Sequence, residues 1–498
     1  MTSVPADRRG VALLDVDDVL RPPLEGEYLD RVVEVPAGTG QLRVELDYVK
    51  VTDRFQLYAA LIDPDGVFRG HVQCPGGPGP RELRFTVGIG SASPGAIAGP
   101  IAAGTWTLRI DLDRFRQEGA YALRLFAVPE EADDTDGTAR PRSTPRTDAT
   151  AGVAEASAQP TPAPSGEPGW LRGELHCHSQ HSDGRDPVAA IVADARSRGF
   201  DFLALSDHFT WSHWAPLAEA AEAAGGPIVL PSIEVTTHRG HGNAHGLRDW
   251  VDVYVDGPDR TAGELVREVH AQGGLFGVNH PFSGQQAWRR SDVPWAEVDL
   301  LEVVNQGQDA NNDAAIGLWD RLLAEGHDIA PVAGTDCHEL GDPAQRLGQV
   351  VTAVRVAERS AAGLLDGLRR AATVVTRGAE LELRLRSAGR EAGLGEHLEL
   401  DGTPVELQLD FRIDVPCALF VIRDGLMWFQ GDVEPGETRL VLVDDDPVPA
   451  AYRAELHRRS DDPRHWASAW RSHESFEALT SFVRTVHRTT TPMHEGES

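Results

Sequence analysis

Short runs of alternating apolar and polar residues fill the first part of the chain. The segments LRVELDYVKV, FQLYAALIDP, WTLRIDL and YALRLFAV alternate in this way or are rich in apolar β-forming residues, and Gly, Pro and Asp turns such as DPDG separate them. Alternation with a period of two places every second side chain on the same face of a strand. We therefore expect an N-terminal β-sandwich over residues 27–128.

Large apolar residues almost disappear between residues 129 and 169. This segment is rich in Pro, Ala, Thr, Ser and acidic residues. It buries too little apolar surface to offset the entropy lost on ordering. The composition predicts a disordered linker over residues 129–169.

A different rhythm begins at residue 170, where apolar strand-like runs alternate with helical stretches. GELHCHS precedes PVAAIVADARSRG, AGELVREVHAQGG precedes LFGVNHP, and VDLLEVVNQ precedes NDAAIGLWDRLLAEG. Strands that alternate with helices form mainly parallel sheets. The number of such units over residues 170–379 favours a closed β/α barrel over an open sheet.

Alternation with a period of two returns after the predicted barrel. ELELRLRS, PVELQLDFRIDVP and ETRLVLVDDD predict a second β-rich domain, again a small sandwich, over residues 380–485. The predicted fold class is therefore α/β, with a central barrel flanked by two β-sandwiches. A chain of 498 residues is long enough for several such cores.

Charge and composition narrow the classes of partner. The net charge is −30, and Lys50 is the only lysine, so the chain repels a phosphate backbone and nucleic-acid binding is disfavoured. No apolar run approaches the length of a membrane span, and acidic residues interrupt the N-terminal segment where a signal peptide would be apolar. The four cysteines form no CxxC pair. We expect a cytoplasmic protein that acts on a small, anionic molecule and has no membrane partner.

Histidines and carboxylates collect where the predicted barrel strands end. In a β/α barrel, the carboxyl ends of the strands converge on one mouth, where binding and catalytic sites are built. Imidazole and carboxylate groups are ligands for zinc, manganese and iron. One ion cannot use so many ligands, which predicts two or three divalent metal ions. The candidate ligands are His176, His178, Asp183, His208, Glu234, His241, His245, His280, Asp336 and His338.

The order of these motifs resembles a known superfamily. HxH followed by SDG, then SDH, a glutamate, GH, NHP and a closing TDxH is similar to the PHP (polymerase and histidinol phosphatase) superfamily of metal-dependent phosphoesterases. The segment EVTTHRGHGNAHG and the flanking β regions look like its CehA/McbA branch. The resemblance covers residues 170–380 and implies a distorted (β/α)7 barrel.

The resemblance also implies which residues share an ion. His176, His178, Glu234 and Asp336 would hold one ion; Glu234, His241 and His280 a second; and Asp183, His208 and His338 a third. Either His241 or His245 follows the glutamate as a ligand, and the GH at His241 is closer to the family pattern. Glu234 and Asp336 would position the attacking water. The leaving group would be protonated either by a histidine, with His208, His213 and His280 as candidates, or by a metal-bound water.

The predicted function is hydrolysis of a small phosphoester by water that the metal ions activate. Arg239 and His213 are candidate substrate-binding residues, because both lie near the ligand loops and arginine geometry suits phosphate. The same centre in a more apolar pocket would hydrolyse a carbamate, ester or amide. A third alternative is a metal-stabilised scaffold whose β-sandwiches bind another molecule.

Overall fold

A computed structural model describes residues 10–22, 28–51, 54–73, 78–113, 115–130, 168–306, 309–459 and 475–488. Strands and helices are mixed in these ranges, and the strands form several sheets. Apart from its ends, the predicted linker at 129–169 lies outside the described residues. No helix in the described ranges has both the length and the apolar character needed to cross a lipid bilayer.

The N-terminal region consists of two four-stranded antiparallel sheets, with orders β1-β8-β3-β6 and β2-β7-β4-β5. Alternate side chains of both sheets belong to one apolar core, as the buried Val44 and Leu108 illustrate. The first strand begins ahead of the expected boundary at residue 27. The strands are β1 (Val11–Leu20), β2 (Tyr28–Val35), β3 (Thr39–Lys50), β4 (Tyr58–Ile62), β5 (Phe68–Val72), β6 (Gly79–Gly88), β7 (Gly104–Asp111) and β8 (Gly119–Pro129).

The central region contains all the α-helices within the described residues. Its elements are β9 (Gly169–Glu174), α1 (Val188–Ser197), β10 (Phe202–Leu203), α2 (Trp214–Ala224), β11 (Ile228–Val229), β12 (Ser232–Thr237), β13 (Gly240–His245), α3 (Ala262–Ala271), β14 (Leu275–Val278), β15 (Leu300–Asn305), α4 (Asp309–Ala324), β16 (Ala330–Gly334), β17 (Val351–Val356), α5 (Ala361–Arg369) and β18 (Thr373–Thr376). Short 3₁₀ turns span Gly284–Gln286 and Trp295–Glu297.

The central strands form a closed series, in which each strand pairs with or is bridged to the next and the last is linked back to the first. Strands β9, β10 and β11 pair in parallel, as do β14, β15 and β16. Single parallel bridges, Cys177 with Cys337 and His208 with Glu234, link the ends of β9 to β16 and of β10 to β12. Strand β13 connects β12 to β14 and is antiparallel to both. The bridges draw the carboxyl ends of β9, β10, β12 and β16 together.

Two features depart from the expected mainly parallel barrel. A turn at His238 and Arg239 joins β12 directly to β13, and so short a connection permits only antiparallel pairing. Strands β17 and β18 are also antiparallel to their neighbours. The alternation of strands and helices is therefore present, and a complete (β/α)7 barrel stays a prediction.

The C-terminal strands continue the central sheet. Strand β27 pairs with β18, so an eleven-stranded sheet crosses the expected boundary at residue 380. A separate four-stranded sheet has the order β20-β19-β22-β25. The strands are β19 (Glu380–Ser387), β20 (Arg390–Ala392), β21 (His397–Leu400), β22 (Val405–Ile413), β23 (Cys417–Arg423), β24 (Leu426–Val433), β25 (Gly436–Asp444), β26 (Ala450–Arg458), β27 (Phe476–Thr480) and β28 (Val483–His487).

The N-terminal region packs against the loops that follow the central strands. Gly95 N donates to the Ser212 hydroxyl at 3.1 Å, and the hydroxyl of Thr210 donates to Gly95 O at 3.2 Å. On the other side, the carboxylate of Asp111 lies 2.6 Å from Nε2 of His238, in the β12–β13 turn. These contacts bring the N-terminal region to the end of the central region where the predicted ligands lie.

Candidate metal centre

Nine of the ten predicted ligands lie in one buried cluster. Strand pairing continues past the end of β9, since Asp336 N donates to His176 O at 2.8 Å and His178 N to Cys337 O at 2.9 Å. This pairing places HxH beside DxH. Donor atoms within 4.8 Å of one another form overlapping groups: His178, Asp183, His208 and His338; His176, His178 and Glu234; His176, His280 and Asp336; and His208, Glu234 and His241.

The nitrogen–oxygen distances suit ligands that share ions. Two ligand atoms bound tetrahedrally to one zinc ion at about 2.1 Å lie roughly 3.4 Å apart. Nε2 of His176 is 3.3 Å from Oε1 of Glu234 and 3.3 Å from Oδ1 of Asp336. Nδ1 of His241 is 3.2 Å from Oε1 of Glu234, and Nε2 of His338 is 3.2 Å from Oδ1 of Asp183.

Several of these buried atoms have no hydrogen-bond partner. Nε2 of His176, Oδ1 of Asp183 and Oε2 of Glu234 are examples. Burying polar atoms without partners is costly, and a cation between them would supply the missing interaction. The donor set of imidazoles and carboxylates also matches the ligand preferences of zinc, manganese and iron. The residues present therefore fit a cluster of divalent metal ions.

Glu302 is a supporting residue that the sequence interpretation missed. Its Oε1 lies 3.0 Å from Nδ1 of His176, while its Oε2 accepts from His280 N at 2.6 Å and from Asn305 Nδ2 at 3.0 Å. A carboxylate on one ring nitrogen of a histidine fixes the ring and directs the other nitrogen to the metal. The available signal was a charged residue within the apolar run LLEVVN of β15.

Glu174 supports the first strand in a similar way. Its carboxylate accepts from His176 N at 3.0 Å, from Thr335 N at 3.1 Å and from the Thr335 hydroxyl at 2.8 Å. Burial raises the pKa of Glu174 to about 7, although these hydrogen bonds oppose the rise. Glu174 thereby ties β9 to the segment that carries Asp336.

The charges in the cluster are mutually balanced. Burial alone would raise the pKa of Glu234 and Asp336, but the surrounding histidines outweigh burial and hold both pKa values well below the usual range. Burial likewise lowers the pKa of His338, but Asp183 and Asp336 outweigh it, and the pKa rises to about 10. Glu234, Asp336 and His338 therefore favour their charged forms.

Backbone strain is concentrated at the cluster. His280 has φ of 24°, Asp336 has φ of 52°, and Phe209, directly after His208, has φ of 63°. Bulky residues with positive φ are uncommon and persist where the surrounding structure fixes them, often at functional sites. Here the strained residues lie in the segments that follow β14, β16 and β10, and two of them are candidate ligands.

The structure separates the two candidate histidines of β13. His241 lies opposite Thr236, and its Nδ1 is 3.2 Å from Glu234. His245 lies opposite Ser232 at the far end of the strand, and its Nδ1 is 2.8 Å from the Ser232 hydroxyl. Within the described residues His245 belongs to none of the donor groups. We therefore retain His241 as a candidate ligand and remove His245.

His213 is not placed to bind substrate, contrary to the sequence interpretation. It is fully buried at the start of α2, with Nε2 2.9 Å from Leu205 O and Nδ1 3.3 Å from Asp207. Asp207 also accepts from the Ser179 hydroxyl at 2.6 Å. Both residues thus fix the loops beside the cluster. A fully buried side chain offers no surface to a substrate.

Arg239, by contrast, is exposed beside the cluster. It lines a cleft of about 400 Å³ that His241 also lines. Arg290, by comparison, is paired with Asp256 at 2.7 Å and with Asp292 at 2.9 Å. Arg239 therefore remains a candidate for contact with an anion.

Comparison with known families matches residues 174–251 to the PHP domain. This segment contains the candidate ligands from His176 to His241 and ends before His280, Asp336 and His338. These last three residues are candidate ligands from the sequence motifs, and the geometry places them in the cluster. No curated protein matches the chain.

Several solved structures are similar to this chain at low identity. One is a two-domain protein from Bacteroides vulgatus that contains a predicted PHP-like metal-dependent phosphoesterase, with 17% identity and a TM-score of 0.37 over 63% of this chain and 95% of that chain. A protein from Bifidobacterium adolescentis, assigned as a metal-dependent phosphoesterase, has 18% identity and a TM-score of 0.28 over 35% of this chain and 90% of that chain. An amidohydrolase from Chromobacterium violaceum has 17% identity and a TM-score of 0.28 over 35% of this chain and 89% of that chain. At these scores, the similarities carry no argument about the activity of this chain.

Proposed function

We propose that this chain is a metal-dependent hydrolase of a small phosphoester and belongs to the PHP superfamily, in its CehA/McbA-like branch. The buried cluster of histidines and carboxylates with unpartnered donor atoms is the observation that carries the proposal. The PHP-domain match over residues 174–251 supports it. The exposed Arg239 beside the cluster favours an anionic substrate over a neutral one.

The ligands would be the nine clustered residues. Glu234 lies within 3.6 Å of His176, His178, His208, His241 and His280, so its two oxygens would bridge neighbouring ions. Bound divalent ions would supply Lewis acidity, which activates water and neutralises phosphoryl oxygens. Two or three ions of zinc, manganese or iron would use this number of ligands.

The protein groups around the ions would have distinct tasks. Glu234 and Asp336 stay ionised because their pKa values are held low, so they offset the charge of the ions and orient the nucleophilic water. His208 was a candidate for protonating the leaving group. Its Nδ1 lies 2.9 Å from Glu234 and its Nε2 lies 3.5 Å from Asp183, so both nitrogens face ligand carboxylates. We therefore assign His208 to ion binding, and the leaving group would receive its proton from solvent.

A substrate panel tests this function. The purified chain would be assayed with p-nitrophenyl phosphate, p-nitrophenyl acetate and 1-naphthyl methylcarbamate, before and after treatment with a chelator and reloading. We expect metal-dependent hydrolysis of the phosphoester, reduced about 100-fold or more in Asp336→Asn, because a neutral amide compensates the ions poorly. The exposed Asp366, whose ion-pair partner in the described part of the chain is Arg370 at 2.9 Å, provides the matched control Asp366→Asn.

The other outcomes separate the alternatives. Metal-dependent hydrolysis of the ester or carbamate, with the phosphoester untouched, would replace the phosphoesterase assignment with the second hydrolase class. Bound metal without turnover of any of the three compounds would favour the scaffold.

A further inference from the structure

A cleft between the N-terminal and central regions opens next to the candidate metal centre. Its volume is about 400 Å³. The N-terminal region contributes Asp113 and Arg116, which follow β7, and the β12–β13 turn contributes Arg239. Arg289 and His241 also line the cleft. The cleft is therefore built by both regions and adjoins a candidate ligand.

Arginine at this cleft stands out against the charge of the whole chain. The net charge is −30, yet Arg116, Arg239 and Arg289 surround one cavity. Within the described residues, the guanidinium of Arg289 donates to the carbonyl oxygens of His238 and Gln285 at 3.1 and 3.0 Å, and neither it nor that of Arg239 forms an ion pair. Arginines held by carbonyl groups or turned to solvent keep donors available for a ligand.

Two contacts fix the segment that carries Arg116. Its backbone N–H donates to Arg54 O at 2.7 Å, which fixes the loop after β7. Two residues before Asp113 in the same segment, Asp111 contacts His238 at 2.6 Å, and this contact holds the loop against the β12–β13 turn. Burial lowers the pKa of His238, but Asp111 and Asp256 outweigh it, and the pKa rises to about 9. Asp111 thus favours the charged form of His238.

The cleft and the cluster meet at His241. One ring nitrogen of His241 lies 3.2 Å from Glu234, while the same side chain lines the cleft. A molecule whose reacting bond lies at the cluster would therefore extend its organic part towards the arginines. A volume of about 400 Å³ is larger than one oxyanion requires and accommodates a small organic group.

We propose that this cleft binds a second anionic group, a carboxylate or phosphate on the organic part of the substrate, and that Arg116 makes the N-terminal region part of the substrate site. The proposal rests on the proposed function for the identity of the ligand as substrate. The binding of an oxyanion to the cleft does not depend on it. Bidentate hydrogen bonding to carboxylate and phosphate is the chemistry that arginine performs best.

Binding to the metal-free protein tests the cleft directly. Sodium sulfate would be titrated calorimetrically into the chelator-treated full chain at constant ionic strength. We expect one site, with affinity weakened about 10-fold in Arg116→Ala and in Arg239→Ala, since a lost charge-assisted hydrogen bond has an effect of that order. Arg386→Ala is the control, because Arg386 pairs with Glu391 at 2.6 Å in the C-terminal region. Equal affinity in all four proteins would overturn the proposal.

A kinetic comparison then links the cleft to the reaction. The metal-loaded enzyme would be assayed with phenyl phosphate and 4-carboxyphenyl phosphate, which differ only in the second anionic group. We expect Arg116→Ala and Arg239→Ala to raise the ratio of KM for the carboxylated compound to KM for phenyl phosphate about 10-fold. Arg239→Lys is a milder substitution that should retain part of the binding of the second anionic group. It also shows whether the loop still folds when residue 239 is changed.

The two tests distinguish the two proposals. Arginine-dependent sulfate binding without hydrolysis of either compound would support an anion-binding cleft and refute the phosphoesterase. Hydrolysis with KM values that do not respond to the arginine substitutions, for either compound, would support the phosphoesterase and refute the substrate role of the cleft.

Discussion

Glu302 is the residue whose role is easiest to isolate. It touches His176 through one oxygen and holds His280 N through the other, so it orients two candidate ligands without belonging to any of the donor groups. The substitution Glu302→Gln keeps the size of the side chain and removes one acceptor. We expect zinc affinity to fall 10- to 100-fold, the range seen when such supporting groups are lost.

Competition with a fluorescent zinc chelator would measure this change. Glu325→Gln is the matched control, since Glu325 is exposed and lies 3.9 Å from Arg321 on α4. Unchanged zinc affinity in Glu302→Gln, with far-UV circular dichroism identical to wild type, would contradict the orienting role.

The two histidines of β13 offer an internal comparison. His241→Ala should lower the number of bound ions or their affinity, because it removes a nitrogen 3.2 Å from Glu234. His245→Ala should leave metal content unchanged and lower the thermal midpoint, because it removes a buried contact with Ser232. Metal analysis and differential scanning calorimetry of both variants decide the matter. Loss of metal in His245→Ala but not in His241→Ala would show that His245, rather than His241, is the ligand.

For single residues, the sequence identified which side chains could be ligands, but it did not predict how those side chains are oriented. The HxH and DxH pairs and the carboxylates after each strand identified nine residues that the structure brings together. Spacing along the chain could not say that Nδ1 of His245 faces Ser232, or that His213 is buried against Asp207. These contacts depend on which turn packs on which strand, and the local pattern does not encode that.

Among the elements, β16 packs closely on the site. A Cβ on Gly334, the last residue of β16, would lie 2.3 Å from Oε1 of Glu302 and 2.4 Å from Cβ of His176. Both neighbours would have to move. Gly334→Ala should therefore weaken zinc binding at least as much as Glu302→Gln, while the secondary structure content is retained.

The matched change is Gly317→Ala on α4, where an added Cβ meets no atom within 4 Å. It should leave zinc affinity unchanged and stabilise the helix by about 1 kcal/mol. Chelator competition together with urea unfolding would measure both effects. Zinc affinity that is the same in Gly334→Ala and wild type would show that β16 is not packed on the ligands as described.

The pattern of hydrophobic residues predicted most strands and helices, but it did not predict which strands pair with one another. Strand–helix alternation from residue 170 and strand alternation before and after it agree with the observed elements. Strand β13 of the antiparallel β12–β13 hairpin has no strand signal in the sequence, because GHGNAHG lacks the apolar residues typical of a strand. The pairing of β18 with β27 joins residues far apart in the chain, and such contacts leave no local pattern.

Across the whole molecule, proton release should accompany metal binding. His338 has a pKa of about 10, and the pKa values of His176, His208 and His280 are also raised by carboxylates that outweigh burial. His338 therefore holds a proton at neutral pH in the metal-free protein, the raised pKa values of the other three favour their protonated forms, and a metal ion must displace these protons. Apparent affinity should therefore rise with pH between 6 and 8.

Calorimetric titration of zinc in PIPES and in Tris would measure the release, because the two buffers differ in ionisation enthalpy. The difference between the two observed binding enthalpies should have the sign expected when protons are released to the buffer. Equal enthalpies in both buffers, or an affinity that falls as pH rises, would contradict the charge balance described for the cluster.

The number of metal ions per chain tests the central claim most directly. The chain would be loaded with zinc or manganese, desalted and analysed by inductively coupled plasma mass spectrometry, beside Asp336→Ala and the control Asp366→Asn. We expect two or three ions per chain in the wild type and the control, and fewer in Asp336→Ala, because Asp336 is grouped with His176 and His280. Less than one ion per chain in the wild type, or the same content in all three proteins, would contradict a metal centre at this cluster.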